Sequence, residues 1–530
     1  MLLSWQVKGT DTNNQRYFFT GLQELKQVNH VVCKVPASHL YKVIAKIAFP
    51  TKKSEKIFIN GFQTWTYCPE YTTRSRIRGI KQLPQRLIDH YSLDRYADYH
   101  FVKYRNQPGV THGFSYCYFR DKDKFRLFAS LNEEPGYTQF KYDANEQILT
   151  IRRDCRDLYF EGNYPIFDLF YMEGSEQEVF DAWFKLLKLP KLKEEPLCGY
   201  SSWYNRYQDI SSNTIAEDLK GCKRVLEPGD LFQIDDGWEP FVGDWLEPDQ
   251  TKFPDGMKAE ADRIHEAGYK AGIWLSPFIA EENSKLFQEH RDWFYHVDGE
   301  PWKDGSNWSG FYSLDIDHPE VIKYLEAVFH RVLHEWGFDL VKLDFLYGAA
   351  PFGSENETRA GRMIRAMKLL RKWCKGKEIL GCGVPVMPAF GYVDYCRVSC
   401  DVSLDWNDVP HRRIIHRERV STKQAIGNVL SRFPLHNRAY LSDPDVFFLR
   451  DENCRLTQKQ KELLAKMDAL LGGVWLMSDN PSKYTERKVK QYKEIRKLTR
   501  AKNVKIDRTQ KIIMYELDGE IYALDISSMI

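Results

Sequence analysis

From residue 199 to residue 478 short apolar runs alternate with amphipathic segments, and this alternation constrains the fold more than any other feature of the chain. The apolar runs span residues 199–203, 231–235, 271–277, 311–316, 340–345, 379–383, 396–401 and 474–478. Helical patterns lie between most of them. In one of these, Asp317 is expected to cap the helix, Pro319 suits its first turn, and Glu320 completes an acidic start. Val321, Leu325, Val328, Val332 and Trp336 then recur at helical spacing, and Gly337 closes the segment. Eight such units over roughly 280 residues fit a (β/α)8 barrel. A doubly wound open sheet is the alternative, and a further strand-like run at 438–446 leaves the strand count open.

The segments on either side read differently. Before residue 190 there are strand-like runs at 16–20, 40–49, 56–67 and 111–132, and 140–153 has the form of a hairpin around Asp143-Ala144-Asn145-Glu146. Many strands with few helical patterns suggest a β-sandwich. The Pro- and Lys-rich stretch LKLPKLKEEPLCGY marks a boundary. Near the C-terminus, Asp518-Gly519 between two apolar runs is a strong hairpin signal. The expected layout is an N-terminal β-sandwich (1–190), a catalytic barrel (191–480) and a C-terminal antiparallel β-domain (481–530).

Charge and cysteine content narrow the function classes. The 76 basic and 74 acidic residues nearly cancel, so no field favours nucleic acid or an anionic membrane. The basic stretch 483–502 also carries Glu486 and Glu494 and reads as a solvated helix face. Eleven cysteines without a CxxC pair argue against a disulfide framework or a zinc site. Buried thiols in a reducing compartment fit better. With no secretory signal and no long apolar run, a cytoplasmic enzyme is expected. Aromatic residues make up 14% of the chain, enough for sugar-stacking surfaces as well as cores.

In a barrel, reactive groups come from the C-terminal ends of the strands. Here those ends carry carboxylates repeatedly: Asp235 and Asp236 in FQIDDGW, Asp344 in LVKLDF, and Asp401 in CRVSCD. A lone acid at a strand end is as readily a helix cap, but three acid-bearing ends together suggest glycoside hydrolysis. That reaction needs a carboxylate on one face of the sugar and a proton donor on the other, roughly 5–5.5 Å apart in a retaining enzyme. Lys342 and Asp344, two apart, point to one face of their strand, so a cation stands near the ionised nucleophile. Asp401 would need partial desolvation or a negative neighbour to hold its proton. Trp203, Trp238 and Trp274 lie within or just beyond strands and are candidates for an aromatic wall.

The segments NGFQTW (60–65), GYSSWYN (199–205), FQIDDGW (232–238), GIWLSPF (272–278), VKLDF (341–345), LGCG (380–383), RVSCD (397–401) and LSDPD (441–445), in this order and spacing, resemble glycoside hydrolase family 36, within the wider α-galactosidase clan and of the compact bacterial type. The resemblance implies a retaining α-galactosidase acting on melibiose or raffinose-type oligosaccharides. It implies that Asp344 is the nucleophile and Asp401 the general acid/base. Asp235 and Asp236 would bind the 4- and 6-hydroxyls of galactose, with Trp274 stacked nearby. Lys342, Cys382 and Arg397 would line the pocket, Trp203 would wall it, and Trp65 would reach it from the N-terminal domain. No metal or organic cofactor is implied. An α-N-acetylgalactosaminidase and a raffinose-type galactosyltransferase are the neighbouring readings, and the oligomeric state is left open.

Overall fold

The computed structural model describes residues 1–80, 83–156, 158–407 and 420–529. Its N-terminal part is one antiparallel sheet of ten strands: β1 (Leu2–Asp11), β2 (Arg16–Glu24), β3 (Val28–Ala48), β4 (Lys56–Ile59), β5 (Val110–Phe114), β6 (Tyr116–Asp121), β7 (Lys124–Ser130), β8 (Thr138–Asp143), β9 (Ile148–Arg153) and β10 (Tyr159–Gly174). The expected sandwich is therefore a single sheet rolled on itself. The long strands β3 and β10 shift register at bulges, which bend a strand and raise its twist. The two ends of the sheet meet where the Phe114 amide donates to the Asn60 carbonyl at 2.7 Å. Val43, Ile47, Phe119, Phe128, Tyr142 and Ile151 fill the interior. β8 and β9 form the hairpin expected from the sequence.

The central part is a parallel sheet of nine segments. In order across the sheet they are Leu441–Asp443, Tyr395–Arg397, Glu378–Gly381, Leu340–Leu343, Lys270–Leu275, Leu231–Ile234, Leu197–Ser201, Val474–Met477 and Val446–Phe447. The first and the last belong to one stretch of chain interrupted at Pro444-Asp445, where Asp445 adopts φ +86°. One half of that stretch pairs with Tyr395–Arg397 and the other with Val474–Met477, so the parallel sheet curls back on itself as in a barrel. The strand-like run at 438–446 thus belongs to this sheet. The run at 311–316 does not: Phe311–Ser313 pairs with Ile279–Glu281 and Lys303–Gly305 in a small antiparallel sheet. An apolar run of strand length carries no information about its partner, so the count of eight from the sequence was right in number with one wrong member.

Helices Ser212–Cys222, Gly256–Glu266, Pro319–His330, Arg359–Trp373, Thr422–Arg432 and Gln458–Leu471 fall between the strands. Ser211 with Thr214 and Thr457 with Gln460 form reciprocal capping boxes, which satisfy amides left unpaired at a helix start. His318, not Asp317, caps the Pro319 helix: its Nδ1 accepts from the Glu320 amide at 3.2 Å. Asp317 instead forms ion pairs with Arg362 and Arg365. The chain ends in a three-stranded antiparallel sheet, Lys502–Asp507, Ile512–Leu517 and Glu520–Asp525, with positive φ at both Asp518 and Gly519 as the tight turn requires.

The N-terminal sheet and the parallel sheet share one polar joint. Arg432 is fully buried. Its guanidinium donates to Asn60 Oδ1 at 2.9 Å, to the Gln63 carbonyl at 3.1 Å, to the Thr64 carbonyl, and to the Val398 carbonyl at 3.0 Å. Asn428 adds a bond to the Thr66 carbonyl at 2.9 Å and receives one from the Cys68 amide at 3.0 Å. This joint pins the 60–68 segment of the N-terminal part against the site end of the sheet. Arg432→Met removes five donors and strands several buried acceptors, so it should lower unfolding stability by roughly 3–5 kcal/mol, readable as a drop in the urea midpoint.

A second buried polar group gives a pH signature. Glu133 accepts from the Thr138 amide at 3.0 Å and from Ser115 Oγ at 3.1 Å, and burial pushes its carboxyl up to about 7. A folded-state pKa above the unfolded one favours folding while the group is protonated, and that contribution is lost as pH rises from the ordinary carboxylate range through about 7. Glu133→Gln keeps both hydrogen bonds without the charge. Its unfolding free energy should therefore fall less than that of the unaltered chain between those two pH values, by on the order of 1–3 kcal/mol.

Candidate active site

The acids picked out by the sequence converge at the C-terminal ends of the parallel strands. Asp344 follows Leu340–Leu343, with its amide bonded to the Leu275 carbonyl of the neighbouring strand at 2.8 Å. Its Oδ2 accepts from Trp274 Nε1 at 3.1 Å and its Oδ1 from the Phe345 amide at 3.0 Å. Burial pushes its carboxyl up. The Lys342 charge and bonds from Cys382 and Trp274 pull it down, the Asp401 charge adds to the rise, and the balance lies above the usual aspartate range. The mutual influence of Asp344 and Asp401 places them in one electrostatic unit.

Two buried cations hold this unit together. Lys342 Nζ donates to Asp235 Oδ2 at 2.8 Å. Burial disfavours its charge, but Asp235, Asp344 and the Cys382 sulfur outweigh that and raise its pKa, so it stays an ammonium. Arg397 Nη2 lies 2.8 Å from Asp401 Oδ1 and 3.1 Å from Asp445 Oδ2. Its side chain is almost fully buried, whereas that of Asp401 is 41% exposed. Asp445 also accepts from Tyr204 Oη at 2.6 Å and from the Val402 amide at 2.9 Å. Burial lifts it to about 7 against the opposing Arg397 charge.

Asp235 is held by donors on both oxygens and keeps acceptor capacity on Oδ1. It takes Lys342, Gln233 Nε2 at 2.6 Å and the Asp236 amide at 3.0 Å. Asp236 accepts from Gln208 Nε2 at 2.9 Å and from Trp308 Nε1 at 3.2 Å. Its carboxyl is also within hydrogen-bonding reach of Glu239, and burial with mutual repulsion raises both acids. Two adjacent buried carboxyls cannot both ionise cheaply, so the pair shares a proton.

The aromatic residues divide into wall and core. Trp274 bonds Asp344 and stands 6.2 Å from the Trp308 ring. Trp65 reaches in from the N-terminal part, donating Nε1 to Cys382 Sγ at 3.1 Å with its ring 4.9 Å from Phe345. Trp203 opens the short helix Trp203–Arg206, half-buried and 5.2 Å from the Tyr207 ring. Trp238 is no wall: it is wholly buried and donates to the Trp274 carbonyl at 2.9 Å, behind the surface.

Sequence reasoning passed over Asp443, Asp445, Tyr204, Trp308 and Glu239. The acids of the LSDPD segment were visible as a strand end, but nothing in the sequence shows that Asp445 faces Arg397. Tyr207, Trp308, Phe345 and Asp445 all hold left-handed φ values between +51° and +86°. Such strained backbone, of order 1–3 kcal/mol per residue, clusters at functional sites. Gly383 has φ +56°, and a β-carbon there would lie 2.7 Å from the Trp65 ring. Gly383→Ala should therefore displace Trp65 and lower kcat/KM at least about tenfold, while a urea midpoint measured alongside separates this from loss of fold.

Comparison with known proteins agrees with this geometry. Residues 191–367 match the Melibiase family model. The chain is 28% identical over 170 residues to α-galactosidase AgaA of Geobacillus stearothermophilus, covering 31% of this chain and 22% of that protein. It thus aligns with only about a fifth of that relative's length. By structure it is similar over its whole length to TtGalA, an α-galactosidase from Thermus thermophilus. The p-nitrophenyl α-D-galactopyranoside complex superposes with TM-score 0.75 at 25% identity, covering 95% of this chain and all of that one. The stachyose complex gives TM-score 0.72 at 26% identity over 93% and 99%. The resemblance to family 36 α-galactosidases thus holds in a matched domain, in sequence and in whole-chain fold.

Proposed function

We propose that this chain is a retaining α-galactosidase. The observation that carries the reading is the gathering of Asp344 and Asp401 at the C-terminal ends of the parallel strands, with the buried cations Lys342 and Arg397 among the acids and Trp274 bonded to Asp344. The nucleophile would be Asp344. Trp274, the Phe345 amide and the Lys342 charge favour its carboxylate, and it would attack the anomeric carbon to give a β-galactosyl ester while the aglycone leaves. Asp401 would protonate the leaving oxygen and then take a proton from water. Arg397 Nη2, 2.8 Å from Asp401 Oδ1, would hold that carboxyl in position through both half-reactions.

Asp235 and Asp236 would accept from sugar hydroxyls, Lys342, Cys382 and Arg397 would line the ring's edge, and Trp65, Trp203 and Trp274 would supply the walls. The similarity to TtGalA, whose solved complexes hold an aryl α-galactoside and stachyose, supports terminal α-galactosyl groups of raffinose-type oligosaccharides as substrates. We read the curled parallel sheet as a (β/α)8 barrel over 191–480, between an N-terminal β-domain over 1–190 and a C-terminal one over 481–530. Eleven cysteines, ten of them buried and none in a disulfide among the described residues, fit a reducing compartment such as the cytoplasm. No helix among the described residues is long and apolar enough to cross a membrane.

The test is hydrolysis of p-nitrophenyl α-galactoside beside its α-N-acetylgalactosaminide. Asp344→Ala should lose at least about 10⁴-fold in kcat and regain turnover with azide as β-galactosyl azide. Asp401→Ala should slow substrates with poor leaving groups far more than the activated aryl substrate. Turnover of the acetamido sugar alone would keep the mechanism and change the substrate. Full activity of Asp344→Ala would overturn the assignment.

A further inference from the structure

One side of the N-terminal sheet ends in a strand without a neighbour. β2 pairs only with β1, in a register that runs unbroken from Leu2↔Glu24 to Thr10↔Arg16. Its other edge presents the outward N–H and C=O groups of every second residue along a nine-residue strand. Sheets usually blunt such an edge with proline, lysine, a bulge or short length. The sequence RYFFTGLQE contains no proline or lysine, and its register shows no bulge. The side chains of Arg16, Phe18, Thr20, Leu22 and Glu24 all lie on one face, and all are exposed. Phe18 is 57% exposed and Leu22 71%, an apolar stripe on an open edge. On the opposite face Tyr17 packs against the core, and Gly21 is held against the Trp5 ring, where a β-carbon would come within 2.3 Å.

The pattern along this strand is complementary to itself. When two copies pair antiparallel about a two-fold axis normal to the sheet, each residue must face one of like parity, because facing side chains share a face. Only registers whose paired residue numbers sum to an even value are allowed. With the axis at Thr20, Phe18 faces Leu22 of the second copy, Arg16 faces Glu24, and each contact occurs twice. A shift of the axis to Phe19 sets Leu22 against Arg16, and a shift to Gly21 sets Phe18 against Glu24. The Thr20 register alone matches apolar with apolar and cation with anion at every outward position. Among the described residues neither Arg16 nor Glu24 has an ion-pair partner within its own chain.

We propose that β2 is a homodimer edge, at which two copies of this chain pair antiparallel about Thr20 and join their ten-stranded sheets into one. The occupant is a second copy because the charge and apolar order of the strand is matched by its own reversal. Cross-strand ion pairs and apolar pairs of this kind each add modestly, and the backbone ladder supplies the rest.

Sedimentation velocity of the full chain from about 1 to about 50 μM tests this. The unaltered protein should sediment as two 62.5 kDa copies. Glu24→Arg places like charges in contact twice and should raise the dimer dissociation constant about tenfold or more. Arg16→Glu combined with Glu24→Arg should restore it, because the reversed charges face each other again. Leu22→Asp, at a highly exposed position with little to lose in folding, should give monomers with an unchanged thermal midpoint. A monomeric unaltered protein across the whole range, or a Glu24→Arg variant that dimerises as tightly as the parent, overturns the proposal. So does a double variant that fails to regain the dimer.

Discussion

The site rests on two buried cations that cannot be left unpaired. Lys342 and Arg397 are both almost wholly removed from water, and an isolated charge so placed is far costlier than any single packing contact. Each is matched by an acid at its own strand end and one from elsewhere in the sheet: Asp344 and, two strands away, Asp235 for Lys342; Asp401 and, from the adjacent strand, Asp445 for Arg397. Cross-strand pairing fixes which strand ends lie side by side, so the charges are balanced only in this strand order. Electrostatics and topology therefore specify one another here, and the reactive carboxylates gain their environment from the same pairs.

Arg432 extends this constraint beyond the parallel sheet. It ties the 60–64 backbone to the Val398 carbonyl, one residue past the strand that carries Arg397. Trp65 follows directly and meets Cys382, whose thiol is in turn linked to Asp344. The N-terminal sheet is thus more than a flanking domain. It delivers an aromatic ring to the reactive end of the parallel strands through a chain of buried hydrogen bonds, and Gly383 leaves the space that ring occupies. The same sheet also carries the open β2 edge, the surface proposed for association.

Much of this was legible in the chain. Alternating apolar runs and helical periods point to a parallel sheet with crossover helices, and acids at run ends point to its C-terminal rim; Asp344 and Asp401 were found that way. The hairpin at Asp518-Gly519 needed only turn chemistry. The failures share one cause. Phe311–Ser313 has the length and composition of a barrel strand yet pairs elsewhere, Trp238 has the placement of a wall yet is core, and Asp445 was visible only as an acid at a strand end yet faces Arg397. In each case the local signal is right and the partner is what differs.

What the sequence by itself determined is therefore local: element types, their alternation, the candidate acids, and the self-complementary order of β2. Those follow from side-chain periodicity and turn chemistry within a few residues. Only the tertiary structure decided which side chains meet across the strands. The pairing of Lys342 with Asp235, the approach of Arg397 to Asp445, and the reach of Trp65 to Cys382 all join residues whose spacing in sequence has no period. Contact between them is set by strand order and by the curl of the sheet, which depend on packing over the whole chain.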